Sequence, residues 1–351
     1  MKSLCLIILV FLIIGVTCGG IDNDPVIVGG NIHLREGRFD RAIELYMEAA
    51  KKYPDHVLPL GAIASAYYMK KDYKEAVDYL EKAIEMDKEG TEGKIKSFES
   101  LLGTKSLKWQ IYYNGAVEYF KDNPEKGIEL AKKALEVDDP KKVSQSYNLL
   151  ANMMFNSGKY EEGVKFLMKA IEIDTENVEA YMTLGHRYLA ERETRKALEC
   201  FDKVLKIDST QIKVYELIGQ AHLLEKAYAE AMKALEKALS LTGNNPTILY
   251  NLMFAHYEAK DYDKAISIGK EVLELPNVEP SVQTSVYNLM GQVYQKKGDY
   301  KNVVAVVKEA IDKGINNCDS YSLIAHAYYK LGDNKASNSW SKKWEECEKN
   351  K

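Results

Sequence analysis

Hydrophobic and polar positions along this chain follow one pattern that returns many times. The segments IHLREGRFDRAIELYMEAAKKYP (32–54), ASAYYMKKDYKEAVDYLEKAIEMD (64–87) and ANMMFNSGKYEEGVKFLMKAIEID (151–174) share it. So do GHRYLAERETRKALECFDKVLKID (185–208), GQAHLLEKAYAEAMKALEKALSL (219–241) and GQVYQKKGDYKNVVAVVKEAI (291–311). Each has a small residue in a first helix, a turn resembling GDY, and a second helix with two further small positions, the spacing expected of amphipathic helices. The last of these positions falls at Ala49, Ala83, Ala134, Ala170, Val204, Ala238, Val272 and Ala310, with gaps of 34, 51, 36, 34, 34, 34 and 38 residues.

A helical hairpin alone cannot cover its apolar face, so such units must stack, and the small residues let neighbouring backbones approach. The period of 34 and the residues at its fixed positions resemble the tetratricopeptide repeat. They include Tyr181, Leu184, Gly185, Tyr188, Ala197 and Phe201 in one unit, and Tyr215, Gly219, Ala231 and Ala238 in the next. Departures are the proline after the second helix, in register only at Pro54, and Gly127, Gly163 and Val303 in place of the second alanine. The resemblance implies an all-α fold, a right-handed superhelical solenoid of about nine helix-turn-helix repeats. The units are expected near 28–56, 57–90, 108–143, 144–177, 178–211, 212–245, 246–283, 284–317 and 318–351, with an insert at 91–107. Within the insert Ile95, Phe98, Leu101 and Leu102 lie at helical spacing. The aromatics entering the second helices (Phe39, Tyr73, Tyr160, Tyr228, Tyr262 and Tyr300) are expected to be structural, and the polar last unit with Trp340 and Trp344 to be a solubilising cap.

Ahead of the repeats, an apolar run from Leu4 to Val16 follows one lysine. It has the length of a secretory signal core and is shorter than the roughly 20 residues that span a bilayer. Residues 1–17 therefore read as a signal peptide and 18–27 as a tether. GVTC, ending at Cys18, resembles a bacterial lipobox but departs from it at Gly15 and Thr17. Three outcomes stay open: lipidation of Cys18, ordinary cleavage beside Gly19 or Gly20, and an uncleaved anchor. Lipidation would make the chain an exported lipoprotein on the periplasmic face. Gly19 in place of the aspartate that retains enteric lipoproteins favours the outer membrane by resemblance.

Composition narrows the functional classes. With 48 Lys+Arg against 52 Asp+Glu the chain carries no basic excess, which argues against a nucleic-acid partner. Of the cysteines beyond the leader, Cys318 opens the first helix and Cys347 closes the second helix of the final hairpin. In an exported protein they can form a disulfide across the cap; otherwise they are two thiols, and Cys200 is unpaired in either case. HExxH, GxSxG and P-loop motifs are absent, so the expectation is no enzyme, no cofactor and no metal. His33, His222 and His256 occupy a slot filled by tyrosine in sister repeats, which points to packing.

In the family this chain resembles, first helices line a concave groove. Residues three before, one after and four after each small position would face it. The candidates are Tyr68, Tyr112, Tyr119, Asn148, Asn152, Phe155, His186, Tyr250, Phe254 and Tyr257. Amides bond an extended backbone from both sides and aromatic rings add apolar contact, so a peptide or partner protein is the expected ligand. A glycan strand and a merely hydrated surface are the alternatives. The cationic clamp with which some family members hold acidic chaperone tails is missing around Asn148 and Asn152. The combined expectation is a membrane-anchored adaptor, with a soluble exported binding protein second and an enzyme third.

Overall fold

The computed structural model describes residues 21, 23–88, 105–136, 139–315 and 317–350. The expected signal peptide, Cys18 and most of the 91–107 insert lie outside them. The described residues form 18 helices and no strand. They divide into two compact units, the first ending at Ala180 and the second beginning at Tyr181.

The first unit contains α1 (Pro25–Arg35), α2 (Phe39–Lys52), α3 (Val57–Lys70), α4 (Tyr73–Lys88), α5 (Lys105–Phe120), α6 (Pro124–Lys133), α7 (Pro140–Asn156) and α8 (Tyr160–Ile173). The division falls inside α9 (Val178–Ala190). The second unit continues with α10 (Thr194–Ile207), α11 (Ile212–Leu224), α12 (Tyr228–Thr242), α13 (Pro246–Glu258), α14 (Tyr262–Glu274), α15 (Pro280–Lys296), α16 (Tyr300–Asp312), α17 (Cys318–Lys330) and α18 (Asn334–Lys349). Within each unit the helices pack as hairpins, each second helix also packs on the next first helix, and first helices touch across the stack, as α5 does α7 and α15 does α17. This is the stacked-pair architecture that the repeat pattern predicts.

Local chemistry explains where the helices begin and turn. Asp24, Asn123, Asp139 and Asn245 accept amide hydrogen bonds as N-caps, and each precedes a proline at the first helical position. Every hairpin turn except the one at 121–123 places one residue in the left-handed region. That residue is glycine at Gly37, Gly158, Gly298 and Gly332, but Lys71, Arg192, Lys226 and Lys260 occupy it in sister repeats. Lysine and arginine there carry a steric cost that glycine avoids. α1 begins at Pro25, ahead of the expected frame start at Val28, so the last tether residues belong to the fold. Ile21 is already buried in the first core, and Asp24 is 6 % exposed.

Two of the departures from the repeat pattern have steric causes. A Cβ on Gly127 would lie 2.8 Å from the Cα of Phe120, because α6 crosses the end of α5 too closely for a side chain. At Gly163 the space of the missing methyl is taken by Phe155, whose ring carbon would be 2.3 Å from a Cβ. Val303, the third departure, is fully buried in the second unit's core. At the junction 274–283, Asn277 adopts a positive φ, Val278 inserts into the core, and Pro280 starts α15.

Candidate functional site

In the first unit, the sequence-derived candidates divide into buried and half-buried sets. Tyr112 is only 4 % exposed, packed in the core with Leu80 and Leu130, so its expected place in an open groove is corrected. Burial pushes its hydroxyl well above the ordinary range. Asn148 is corrected likewise: it is 2 % exposed and joins two successive repeats. Its amide nitrogen donates to Asn177 Oδ1 and Glu179 Oε2, both at 3.1 Å, and its oxygen accepts from Asn177 Nδ2 at 3.2 Å. Asn177 also donates to Ser144 Oγ at 2.6 Å and accepts the amide of Ala180 at 2.9 Å near the start of α9. The candidate at −3 is therefore a clasp on the next helix's N-terminus.

The candidates at +4 serve the hairpin turns. The Tyr68 ring lies 5.8 Å from Tyr73, and Phe155 lies 6.5 Å from Tyr160, each meeting the aromatic that opens its own second helix. Tyr119 is half-buried and donates to Asp78 Oδ1 at 3.0 Å, with the Lys74 ammonium 5.4 Å from its ring centre. Burial first, and then the Asp78 carboxylate, push its pKa up to about 12. Asn152 is half-buried in α7.

The second unit repeats both devices. Asn288 donates to Asn317 Oδ1 at 3.1 Å and accepts from Ser320 Oγ at 2.8 Å, the same clasp at the N-terminus of α17. Tyr257 lies 6.2 Å from Tyr262, the +4 pairing again, and 6.3 Å from Phe254. Tyr250 and Phe254 are half-buried against the core. Of the three rows in this unit, the one a residue after each small position is the most open: His186, Gln220 and Gln292 are exposed, while Phe254 and His326 are half-buried. His186, Gln220, Phe254 and Gln292 occupy equivalent places on α9, α11, α13 and α15. The His186 ring meets the edge of Phe201 at 6.3 Å, and partial burial, followed by the nearby Lys213, lowers its pKa. Farther along, Gln295 Nε2 contacts His326 Nδ1 at 2.6 Å, and Tyr300 meets the same imidazole edge-on.

His33, His222, His256 and Cys200 lie in the packing of the helices. His256 is buried with Nδ1 3.0 Å from Asp261 Oδ2, while the Nδ1 atoms of His33 and His222 are enclosed without a hydrogen-bond partner. Cys200 is buried, and that burial raises its pKa to about 11, far from a reactive thiolate. Cys318 and Cys347 are joined by a disulfide with their Cα atoms 5.5 Å apart. Among the described residues, no helix is long and apolar enough to cross a membrane, and no group of His, Cys, Asp and Glu is placed to hold a metal ion.

Comparison with known proteins gives consistent matches. Models of the tetratricopeptide repeat match residues 30–89, and residues 144–177 and 284–312. The model of the tetratricopeptide repeat protein 21 C-terminal ARM domain matches residues 179–288. The TPR repeat-containing protein MJ1428 of Methanocaldococcus jannaschii is 24% identical over 174 residues, which cover 49% of this chain and 27% of that protein. Tetratricopeptide repeat protein 29 of Homo sapiens is 28% identical over 141 residues, covering 37% of this chain and 27% of that protein. The chain thus spans 27% of the length of each of these curated relatives. The crystal structure of a tetratricopeptide repeat protein from Parabacteroides merdae has a TM-score of 0.51 at 16% identity, over 68% of this chain and 93% of that one, a likeness of fold. Repeat models match segments in both units and the hairpins recur at the repeat's own period, so the matched segments are tetratricopeptide-type repeats.

Proposed function

We propose that this chain is a non-catalytic scaffold that holds a protein or peptide partner on the first helices of its second unit. In this reading a lipid on Cys18 anchors it to the periplasmic face of a bacterial envelope, the outer membrane in preference to the inner. The observation that carries the binding reading is the row His186, Gln220, Phe254 and Gln292 on successive first helices, of which the two glutamines and the histidine are exposed and Phe254 is half-buried. Two amides and an imidazole can donate to and accept from an extended peptide backbone, and Phe254 supplies apolar contact within the row. The row contains no carboxylate or ammonium, so recognition through backbone and apolar groups suits it better than recognition of a charged tail. The anchoring reading rests on the apolar run Leu4–Val16 and on GVTC before the fold.

The test is crosslinking in native membranes and identification of the co-purifying proteins, with Gln220→Ala/Phe254→Ala/Gln292→Ala beside the unaltered chain. The main crosslinked partner should be lost from the triple variant, and from Gln220→Ala/Gln292→Ala in part, while both variants keep the helical circular dichroism of the unaltered chain at the assay temperature. Undiminished capture by that variant would remove the site from these helices. Anchoring is tested separately: Cys18 should carry an acyl mass, and Cys18→Ser should move the protein to the soluble fraction.

A further inference from the structure

The helix α1, PVIVGGNIHLR, has two unlike long faces. Ile27, Gly30 and Leu34 are buried, with Gly30 lying on the ring of Tyr46 in α2. Pro25, Val28, Ile32 and Arg35 form the opposite stripe, and all four are exposed. Val28 is 41% and Ile32 48% exposed, an uncovered apolar pair one helical turn apart. The helix carries no aspartate or glutamate. The last helix, α18, meets solvent in the expected way: NKASNSWSKKWEECEK is mostly polar, with Trp340 half-buried and Trp344 its one exposed large apolar residue. A solubilising end thus exists at one terminus of the array, and an apolar stripe stands at the other.

What lies next to that stripe follows from the connection to it. Ile21 is buried in the first core. Asp24 caps α1 through the amide of Val26 at 2.9 Å, and accepts from Lys52 Nζ and Tyr53 Oη, both at 2.6 Å. The chain is thereby fastened to the fold only two glycines after Cys18. At ~3.5 Å per extended residue, Ile21 lies within ~11 Å of Cys18. A lipid at Cys18, or the apolar run Leu4–Val16 held in a bilayer, keeps α1 at the membrane surface.

We infer that the Pro25, Val28, Ile32 and Arg35 face of α1 rests on the lipid surface, so that the array docks on the membrane by its first helix as well as by its anchor. A helix with an apolar stripe, no carboxylate and a terminal arginine suits the boundary between acyl chains and headgroups. This inference rests on the membrane attachment proposed above, and it is testable apart from the lipid on Cys18.

The experiment places photoreactive benzoylphenylalanine at position 28 or 32 of the full chain, with control positions at Met168 and Leu224, each 59% exposed elsewhere on the array. Irradiated native membranes are analysed by mass spectrometry for adducts, and the mass at Cys18 is read from the same sample. Positions 28 and 32 should yield lipid adducts at least about five-fold above the controls. Adducts to a second copy, to another protein or to the leader, or no excess over the controls, overturn the inference. Lipid adducts on a chain whose Cys18 carries no acyl group uphold the docking face and remove the lipid anchor. An acylated Cys18 without those adducts does the reverse.

Discussion

At the scale of single residues, the asparagine clasp shows how a polar side chain can look like a ligand group and be structural. Asn148 sits on the first-helix face at a position that, on an isolated hairpin, opens into the groove. The following repeat closes over it, and Asn177 both accepts from its amide nitrogen and donates to its amide oxygen. Removing one partner strands a buried amide, at a cost of roughly 1–3 kcal/mol. Asn148→Ala is therefore expected to lower stability by about 2 kcal/mol in urea melts. Asn148→Ala/Asn177→Ala should cost clearly less than the sum of the single variants, since both lose the same pair of amide bonds; strict additivity would refute the clasp. The clasp was legible only as a recurrence, because Asn148 and Asn177 stand as far apart as Asn288 and Asn317. Helical register alone gives the direction of a side chain from its own helix and says nothing of what the next repeat lays over it, which is also why Tyr112 looked accessible.

At the scale of elements, the hairpins and their turns were readable from the repeated small residues and the GDY-like turns. Missed were the early start of α1 and the non-glycine residues in left-handed turns, although Asp24 followed by Pro25 carried the cap-and-proline signal for the former. That cap makes the attachment of α1 to α2 dependent on pH. Hydrogen bonds from Lys52, then Tyr53 and the Val26 amide, hold the Asp24 carboxyl at about 2, against an ordinary 3.8. A carboxyl lowered on folding stabilises fully above its unfolded pKa, and that contribution fades as pH falls through the folded one. Asp24→Asn should thus be less stable than the unaltered chain at pH 5, with the gap closing between pH 3.8 and about 2. A gap that stays constant over that window would mean the carboxylate charge contributes nothing. At the other end, the Cys318–Cys347 disulfide spans 29 residues, and a loop of that length is worth about 3–4 kcal/mol by its closure entropy. Reduction, or Cys347→Ser, should speed amide exchange throughout α17 and α18 first; unchanged exchange there would show that packing alone holds the cap.

At the scale of the whole molecule, a stack in which each hairpin touches only its neighbours has no single core whose loss is felt everywhere. The buried residues form separate clusters, one of them confined to the second unit and two to the first. Met253 is fully buried at the small-residue position of α13, where its side chain also meets Gly269. Met253→Ala leaves a cavity there, a change that typically costs 2–5 kcal/mol, so about 3 kcal/mol is expected. The loss should travel from hairpin to hairpin and weaken with distance. Hydrogen exchange is therefore predicted to accelerate across α11 to α16 while amides around Leu58, Leu80 and Leu130 keep their protection. An equal loss of protection in both units would instead make the array one cooperative body. Local yielding has a functional consequence under the proposed reading: a partner bound along α9 to α15 would stiffen the second unit, leaving the α1 end unchanged at the membrane.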